Sequence, residues 1–217
     1  MKRFINIAIF YFVLALYGYS QIPFIIETTN GTMEGILYED TPMHTENFID
    51  LAKKGHYDGL LFHRVIKDFM IQAGDPDSKN AAKGKMLGSG DVGYTIPPEF
   101  NPEYIHKKGA LAAARQPDNI NPGKESSGSQ FYIVQGTPLT DEHFKAFEEK
   151  ELRMPFSEEH KKIYKSKGGA PHLDFNYTVF GEITKGFDVI DEIAKVETDP
   201  RNRPVEDIKI ITIKIKQ

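Results

Sequence analysis

In the stretch "GLLFHRVIKDFMIQAGD", residues 59–75, Arg64 and Gln72 stand among residues that otherwise belong to a core. Phe69 and Met70 lie between them, and "SQFYIV" further on brings Gln130 and Tyr132. The usual hydrolytic chemistries find no home here. The chain has no cysteine, which excludes a thiol nucleophile, a disulfide framework and a cysteine zinc site. Its histidines are scattered without H-E-x-x-H or another metal spacing. "GSGDVG" resembles a phosphate loop only loosely, since no strand precedes it and no helix follows. Ser127 and Ser129 read as turn serines, and "SEEHKK" around His160 as a solvated helix face. What remains is an arginine and two glutamines among apolar and aromatic side chains, a set suited to a reaction that breaks no bond. Rotation about an Xaa-Pro amide is such a reaction. Its barrier of ~18–20 kcal/mol is amide resonance, and a catalyst needs only an apolar slot for the ring and a fixed donor. As the amide twists, the proline nitrogen becomes pyramidal and its lone pair accepts a hydrogen bond. An arginine, always charged and with rigidly arranged donors, suits that task.

These residues need elements to hold them. "PFIIETTNGTMEGILYED" predicts two strands joined at Asn30–Gly31, a strong hairpin signal. Thr41 as N-cap, Pro42 at the first position, and Phe48, Leu51 and Ala52 on one face predict a helix that Gly55 stops. Residues 60–74 read as two strands turning near Lys67–Asp68, and residues 75–109 mostly as loop. "GALAAAR" and "SQFYIVQG" read as buried strands, and Leu139 to Lys167 as helical, with Ser157 an N-cap and Gly168–Gly169 a stop. "YTVFGEITKG" returns to strand and "GFDVIDEIAKV" to helix. In the tail "IKIITIKIKQ", Ile208 and Ile210 are out of phase with Ile211, Ile213 and Ile215, predicting a bulge or a strand buried on both faces. Many short strands and few helices favour a barrel or sandwich.

The chain's 217 residues suit one domain, and a formal charge of −4 gives no footprint for nucleic acid. The first residues differ in kind. Lys2 and Arg3 precede an apolar run from Phe4 to Tyr17, then the small residues Gly18 and Ser20. This predicts a signal peptide over residues 1–20, cleaved near Ser20–Gln21, and an exported, periplasmic domain over residues 21–217.

"FHRVIKDFMIQAGD", "GALAAAR", "SGSQFYIV" and "HLDFNYTVFGEITKGFDVID", in this order from Ile22 to the C-terminus, resemble the cyclophilin family of peptidyl-prolyl cis-trans isomerases. The resemblance implies a mainly β fold: a closed eight-stranded antiparallel barrel capped by two helices, with its interior packed and the site in an exterior groove. It places Arg64 on the catalytic arginine and Gln72 on the residue that holds it. Phe69, Met70 and Tyr132 fall on the proline pocket, Tyr132 replacing the more usual Phe, with Leu173 a further apolar wall. Ala114, Arg115 and Gln130 fall along the substrate groove. Arg115 stands in place of Asn, His172 in place of Trp, and Tyr177 in place of His. Because the usual Trp donates to cyclosporin, His172 predicts weakened binding of that drug, which a calorimetric titration checks.

The resemblance further implies proline-containing polypeptides as substrates, no cofactor or metal, no nucleic-acid or membrane partner once the leader is removed, and a monomer. It leaves a helical insertion from about Thr137 to Gly169 unassigned, with Phe144, Phe147, Leu152, Met154 and Phe156 among its residues. Two other classes compete with the enzyme: a proline-segment-binding chaperone with little catalysis, and a docking module whose insertion would expose its aromatics.

Overall fold

The computed structural model describes residues 21–149 and 156–216; the predicted signal peptide, Leu152 and Met154 lie outside them. Strands β1 (Ile22–Thr28) and β2 (Gly31–Leu37) form the expected hairpin, with Thr28 facing Gly31 across the turn. Burial alternates along both, as a pleated strand over a core requires. Helix α1 (Pro42–Lys53) buries Phe48, Leu51 and Ala52. Thr41 stands at the N-cap and Pro42 follows it as expected, but the side chain of Thr41 does not cap. Its hydroxyl donates to the Tyr38 carbonyl, while the Glu99 carboxylate accepts from the amides of Met43 (3.1 Å) and His44 (3.0 Å). The orphan donors of the first turn are thus satisfied from a distant loop.

β3 (Arg64–Ile66) and β4 (Met70–Ala73) make a second hairpin, with Asp68 in its turn at φ 64°. The following loop segment contributes β5 (Thr95–Ile96), which pairs with β7 (Ser126–Ser127) in a small separate sheet. β6 (Ala110–Ala113), β8 (Phe131–Val134), β9 (Val179–Lys185), α4 (Phe187–Ala194) and β10 (Ile210–Ile215) complete the body. The main sheet has eight antiparallel strands in the order β10-β1-β2-β9-β6-β8-β4-β3. The out-of-phase tail has the predicted bulge. The register slips between Glu27 and Thr28, which lets Ile210 and Ile213 both face the core and leaves Ile211 exposed.

The expected closed ladder is corrected. The sheet ends at β10 and β3, which do not pair as strands. Between them runs the irregular segment 59–62, where Gly59 at φ 80° turns the backbone out of the extended region. Gly59 and Phe62 donate to the carbonyls of Ile210 (2.8 Å) and Ile208 (2.9 Å), and Leu61 bridges Lys209. Among the described residues the architecture is therefore mainly β, with an eight-stranded antiparallel sheet and four α-helices.

α1 packs on β9 and β10, and α4 on β2, β3 and β4. The other two helices, α2 (Asp141–Glu149) and α3 (Glu158–Lys167), belong to the insertion. Ser157 caps α3 as expected, accepting from the His160 amide at 3.1 Å. Phe144 and Tyr164 of the insertion and Ile105 of the loop before β6 form a small core, with Leu139, Phe156 and Ile163 against it. Phe147 is half-buried and meets Phe156 at 6.3 Å between ring centroids. The described aromatics of the insertion are therefore engaged, and the exposure that would favour a docking module is not seen among the described residues.

Two-residue periodicity explains how this body builds a site. On β3, β4, β6 and β8, Val65, Ile71, Ala73, Leu111, Ala113, Phe131 and Ile133 turn into the main core. The alternate residues Met70, Ala112, Tyr132 and Val134 join a second apolar cluster on the other face, with Leu173. Arg64 and Gln72 share the phase of that second face.

Candidate active site

Strand register sets the central row. Arg64 pairs with Gln72, Gln72 with Tyr132, and Tyr132 with Ala112. From this row the Arg64 guanidinium donates to Gln72 Oε1 at 3.1 Å, and Gln72 Nε2 donates to Gln130 Oε1 at 3.0 Å. Gln130 Nε2 in turn donates to the carbonyls of Gly88 (3.1 Å) and Gly90 (2.7 Å). Each amide accepts on one side and donates on the other, so the chain of bonds fixes the guanidinium from a neutral partner. An arginine has five donors in a rigid fork, and among the described residues one bond of Arg64 is to a protein side chain, that of Gln72. Partial burial lowers its pKa from the ordinary value, Tyr177 opposing, but an arginine stays charged at neutral pH.

Beside it lies a cavity of about 550 Å³. Arg64, Gln72, Phe69, Met70, Ala114, Arg115, Tyr132, Leu173 and Tyr177 all line it. Met70, Ala114, Tyr132 and Leu173 are buried and give it an apolar floor, while Phe69 and Tyr177 are half-buried walls. Gln130 lies one step away, lining an adjoining cavity of about 580 Å³ and bracing Gln72. His172 does not line the cavity. It is exposed on the short turn Pro171–Leu173, its ring 5.4 Å from that of Phe69.

The substituted positions have visible contacts. Arg115 lies over the Tyr177 ring at 4.5 Å, pairs with Asp118 at 2.7 Å, and donates Nε to the Asn176 carbonyl at 2.7 Å. Its side chain thus braces the wall by a cation–π contact. The Tyr132 hydroxyl is bonded to His106 Nε2 at 2.9 Å, and burial first, then Tyr177 and Asp174, hold its pKa well above the usual phenol value.

Sequence reasoning missed the other half of the wall. His63 lines the cavity, is 3% exposed, and among the described residues neither ring nitrogen has a partner at hydrogen-bond geometry. Burial pushes its imidazole down to about 4, against the pull of the Asp75 carboxylate. Its place beside Arg64 in "FHR" was the available signal. Lys85 and Met86 from one loop, and Asp199, Arg201 and Arg203 from another, also line the cavity. They reach it only through the tertiary fold, so no local pattern marks them.

An arrangement of apolar slot and fixed cationic donor can seat a proline ring and hydrogen-bond an amide nitrogen as it pyramidalises. Comparison with known proteins agrees in kind. Residues 24–215 match the family model described as cyclophilin type peptidyl-prolyl cis-trans isomerase/CLD. A Staphylococcus saprophyticus protein named as a peptidyl-prolyl cis-trans isomerase is 36% identical over 197 residues, covering 90% of this chain and 92% of its own. A Streptococcus pyogenes protein named as a bifunctional phosphatase/peptidyl-prolyl cis-trans isomerase is 39% identical over 194 residues; the match covers 88% of this chain but 38% of that longer protein. Among solved structures, a Cryptosporidium parvum cyclophilin-type isomerase superposes with a TM-score of 0.64 at 24% identity, covering 91% of this chain and 99% of that one. At that identity the likeness speaks for the fold.

Proposed function

The chain belongs to the cyclophilin-type family of peptidyl-prolyl cis-trans isomerases, and we propose that Arg64 and the cavity beside it carry the reaction, on proline-containing segments of exported proteins. The single observation behind this is the Arg64 guanidinium, held by the neutral Gln72 at 3.1 Å at the edge of the apolar slot. The proline ring enters between Phe69, Met70, Tyr132 and Leu173. Its carbonyl neighbour and backbone lie along Gln72, Ala114 and Arg115. As the amide twists, resonance is lost and the nitrogen lone pair becomes an acceptor, so a donor of Arg64 gains a bond in the transition state that the planar ground state lacks. Such differential bonding lowers the barrier, and the low-dielectric slot makes it stronger than in water.

The test is the cis-to-trans rate of a short Ala-Pro peptide with wild type and with Arg64→Ala, each checked as folded by circular dichroism. Loss of the one preorganised donor is expected to lower kcat/KM by about 10²–10³. A folded wild type that leaves the uncatalysed rate unchanged would move the reading to a proline-segment-binding chaperone. The exported, periplasmic setting rests on Lys2, Arg3 and the apolar run before Ser20. Cell fractionation with N-terminal sequencing checks it: a periplasmic product beginning near Gln21 is expected, and an intact cytosolic chain sinks it.

A further inference from the structure

Deepening that reading, and resting on it, we infer that Tyr164 of the inserted helix α3 is a positioning residue for the isomerase site, acting through Asp174 and His106 on the cavity wall Tyr132. A continuous buried line of hydrogen bonds joins the two tyrosines. Tyr164 donates its hydroxyl to Asp174 Oδ2 at 2.7 Å. Asp174 Oδ1 accepts from the His106 amide and from His106 Nδ1, each at 2.9 Å. His106 Nε2 meets the Tyr132 hydroxyl at 2.9 Å. Exposure along the line is 0% at Tyr164, 9% at Asp174, 0% at His106 and 4% at Tyr132.

The donor and acceptor inventory orders the line in one direction. A carboxylate only accepts, so the hydrogen of His106 sits on Nδ1, and Nε2 is left with a lone pair. That lone pair takes the Tyr132 O–H, and the two rings lie nearly parallel, 6.0 Å apart at 15°. Tyr132 then presents its ring edge-on to Tyr177, 5.8 Å away at 81°, the opposite wall of the same cavity. The far end depends on the insertion. Among the described residues Tyr164 supplies the one side-chain donor to Asp174 Oδ2; without it a buried carboxylate oxygen loses that partner and is free to rotate towards other donors. His106 would lose its fixed tautomer, and the plane of Tyr132 its anchor. The inserted helices thus set the shape of the proline slot from behind, without touching the substrate.

The experiment is a double-mutant cycle on isomerase activity, with thermal melts beside it. Tyr164→Phe is expected to lower kcat/KM by about fivefold in the natural background, the scale of coupling between members of one hydrogen-bond network. In a Tyr132→Phe background, where the wall no longer carries a hydroxyl, the same change is expected to leave kcat/KM unchanged. Its melting temperature falls in both. A purely structural tyrosine gives either no kinetic effect or an equal one in both backgrounds, and either result overturns the inference alone. An inactive wild type overturns the isomerase reading and this role with it. Should Tyr164→Phe fail to fold, ring-nitrogen NMR of His106 decides in the wild type and in Tyr132→Phe. An Nδ1–H tautomer whose Nε2 signal moves on loss of the phenol upholds the line; an Nε2–H tautomer breaks it.

Discussion

Arg64 differs from the other arginines of the cavity wall in what holds it. Arg115 is paired with Asp118, Arg203 with Asp207 at 3.0 Å, and Arg201 faces Asp199 at 3.8 Å. Among the described residues Arg64 has no carboxylate within ion-pair distance, only the amide of Gln72, which aims the charge without neutralising it. Replacing Gln72 by Ala therefore keeps the charge and frees its direction. Kinetics should show kcat/KM falling by about tenfold, less than for Arg64→Ala, because a misplaced donor costs less than a missing one; an equal loss in the two would mean that Gln72 itself does the chemistry. His63, just before strand β3, gives a pH prediction. Its folded pKa near 4 lies below the 6.5 of a free imidazole, so between those values the unfolded chain binds more protons. Stability is then full above about pH 6.5 and falls as pH drops towards 4. His44 is shifted down as well, again mainly by burial, so the whole slope does not belong to one residue. Chemical denaturation across pH 4–7 should show a shallower slope for His63→Gln than for wild type, and an unchanged slope would remove His63 from the account.

At the scale of elements, the insertion is tied at its neck by glycines. Thr137 bridges Gly169, and Lys107 bridges Gly169 from the other side. A Cβ on Gly169 would lie 2.3 Å from the His106 carbonyl oxygen and 2.5 Å from the Tyr164 ring, on a backbone at φ 154° that other residues rarely adopt. Gly169→Ala should therefore cost roughly 2–4 kcal/mol, the range of overpacking and backbone strain together, read as a lower midpoint in urea. Ser157→Ala, which removes only the cap on α3, should cost about 1 kcal/mol; equal effects from the two would mean that the neck carries no strain. The neck was half visible in the sequence: Gly168–Gly169 marks a helix stop, but nothing marks what packs against it. The same divide runs through the chain. Strands and helices with repeating burial, such as β1, β2, α1 and α4, were legible because periodicity is a local property. The cap from Glu99, 55 residues from His44, and the His106–Asp174 bond, spanning 68 residues, were not, because only the tertiary fold creates them. β5 and β7 are two residues each, too short for any period to show. Of the candidate site, the strand residues Arg64, Met70, Gln72 and Tyr132 were readable by alternation and resemblance. The loop and turn residues Phe69, Ala114, Arg115, Leu173 and Tyr177 were readable by resemblance alone, and the loop-borne Lys85, Met86, Asp199, Arg201 and Arg203 by neither.

Over the whole molecule, the sign of the charge at the site opposes that of the chain. The formal net charge is −4, yet Arg64, Lys85, Arg115, Arg201 and Arg203 line the first cavity against the single carboxylate of Asp199. Arg115, Arg203 and, more loosely at 3.8 Å, Arg201 are matched by Asp118, Asp207 and Asp199. This leaves Arg64 and Lys85 as the cations without a carboxylate partner among the described residues, with the exposed Arg201 beside them. The adjoining cavity instead carries Asp91 and Glu125 against Arg115 alone, and meets the first along Gln72, Gly88, Ser89, Ala114, Arg115 and Gln116. An extended segment crossing from one to the other would pass from a positive region to a negative one. Charge so arranged governs encounter and register more than the catalysed step, and it weakens with salt. Tetrapeptides with Glu or Lys placed in turn at each position flanking the proline should separate the two ends. Glu on the side facing Lys85 and Arg201 is expected to raise kcat/KM by about two- to fivefold over Lys at low ionic strength, as exposed charge pairs allow. The gap should shrink by 0.5 M salt, where the Debye length falls to roughly 4 Å, and Arg201→Glu should narrow or invert it. A preference that ignores both salt and Arg201 would leave these side chains a structural role and place selectivity in the apolar slot, where proline itself is chosen.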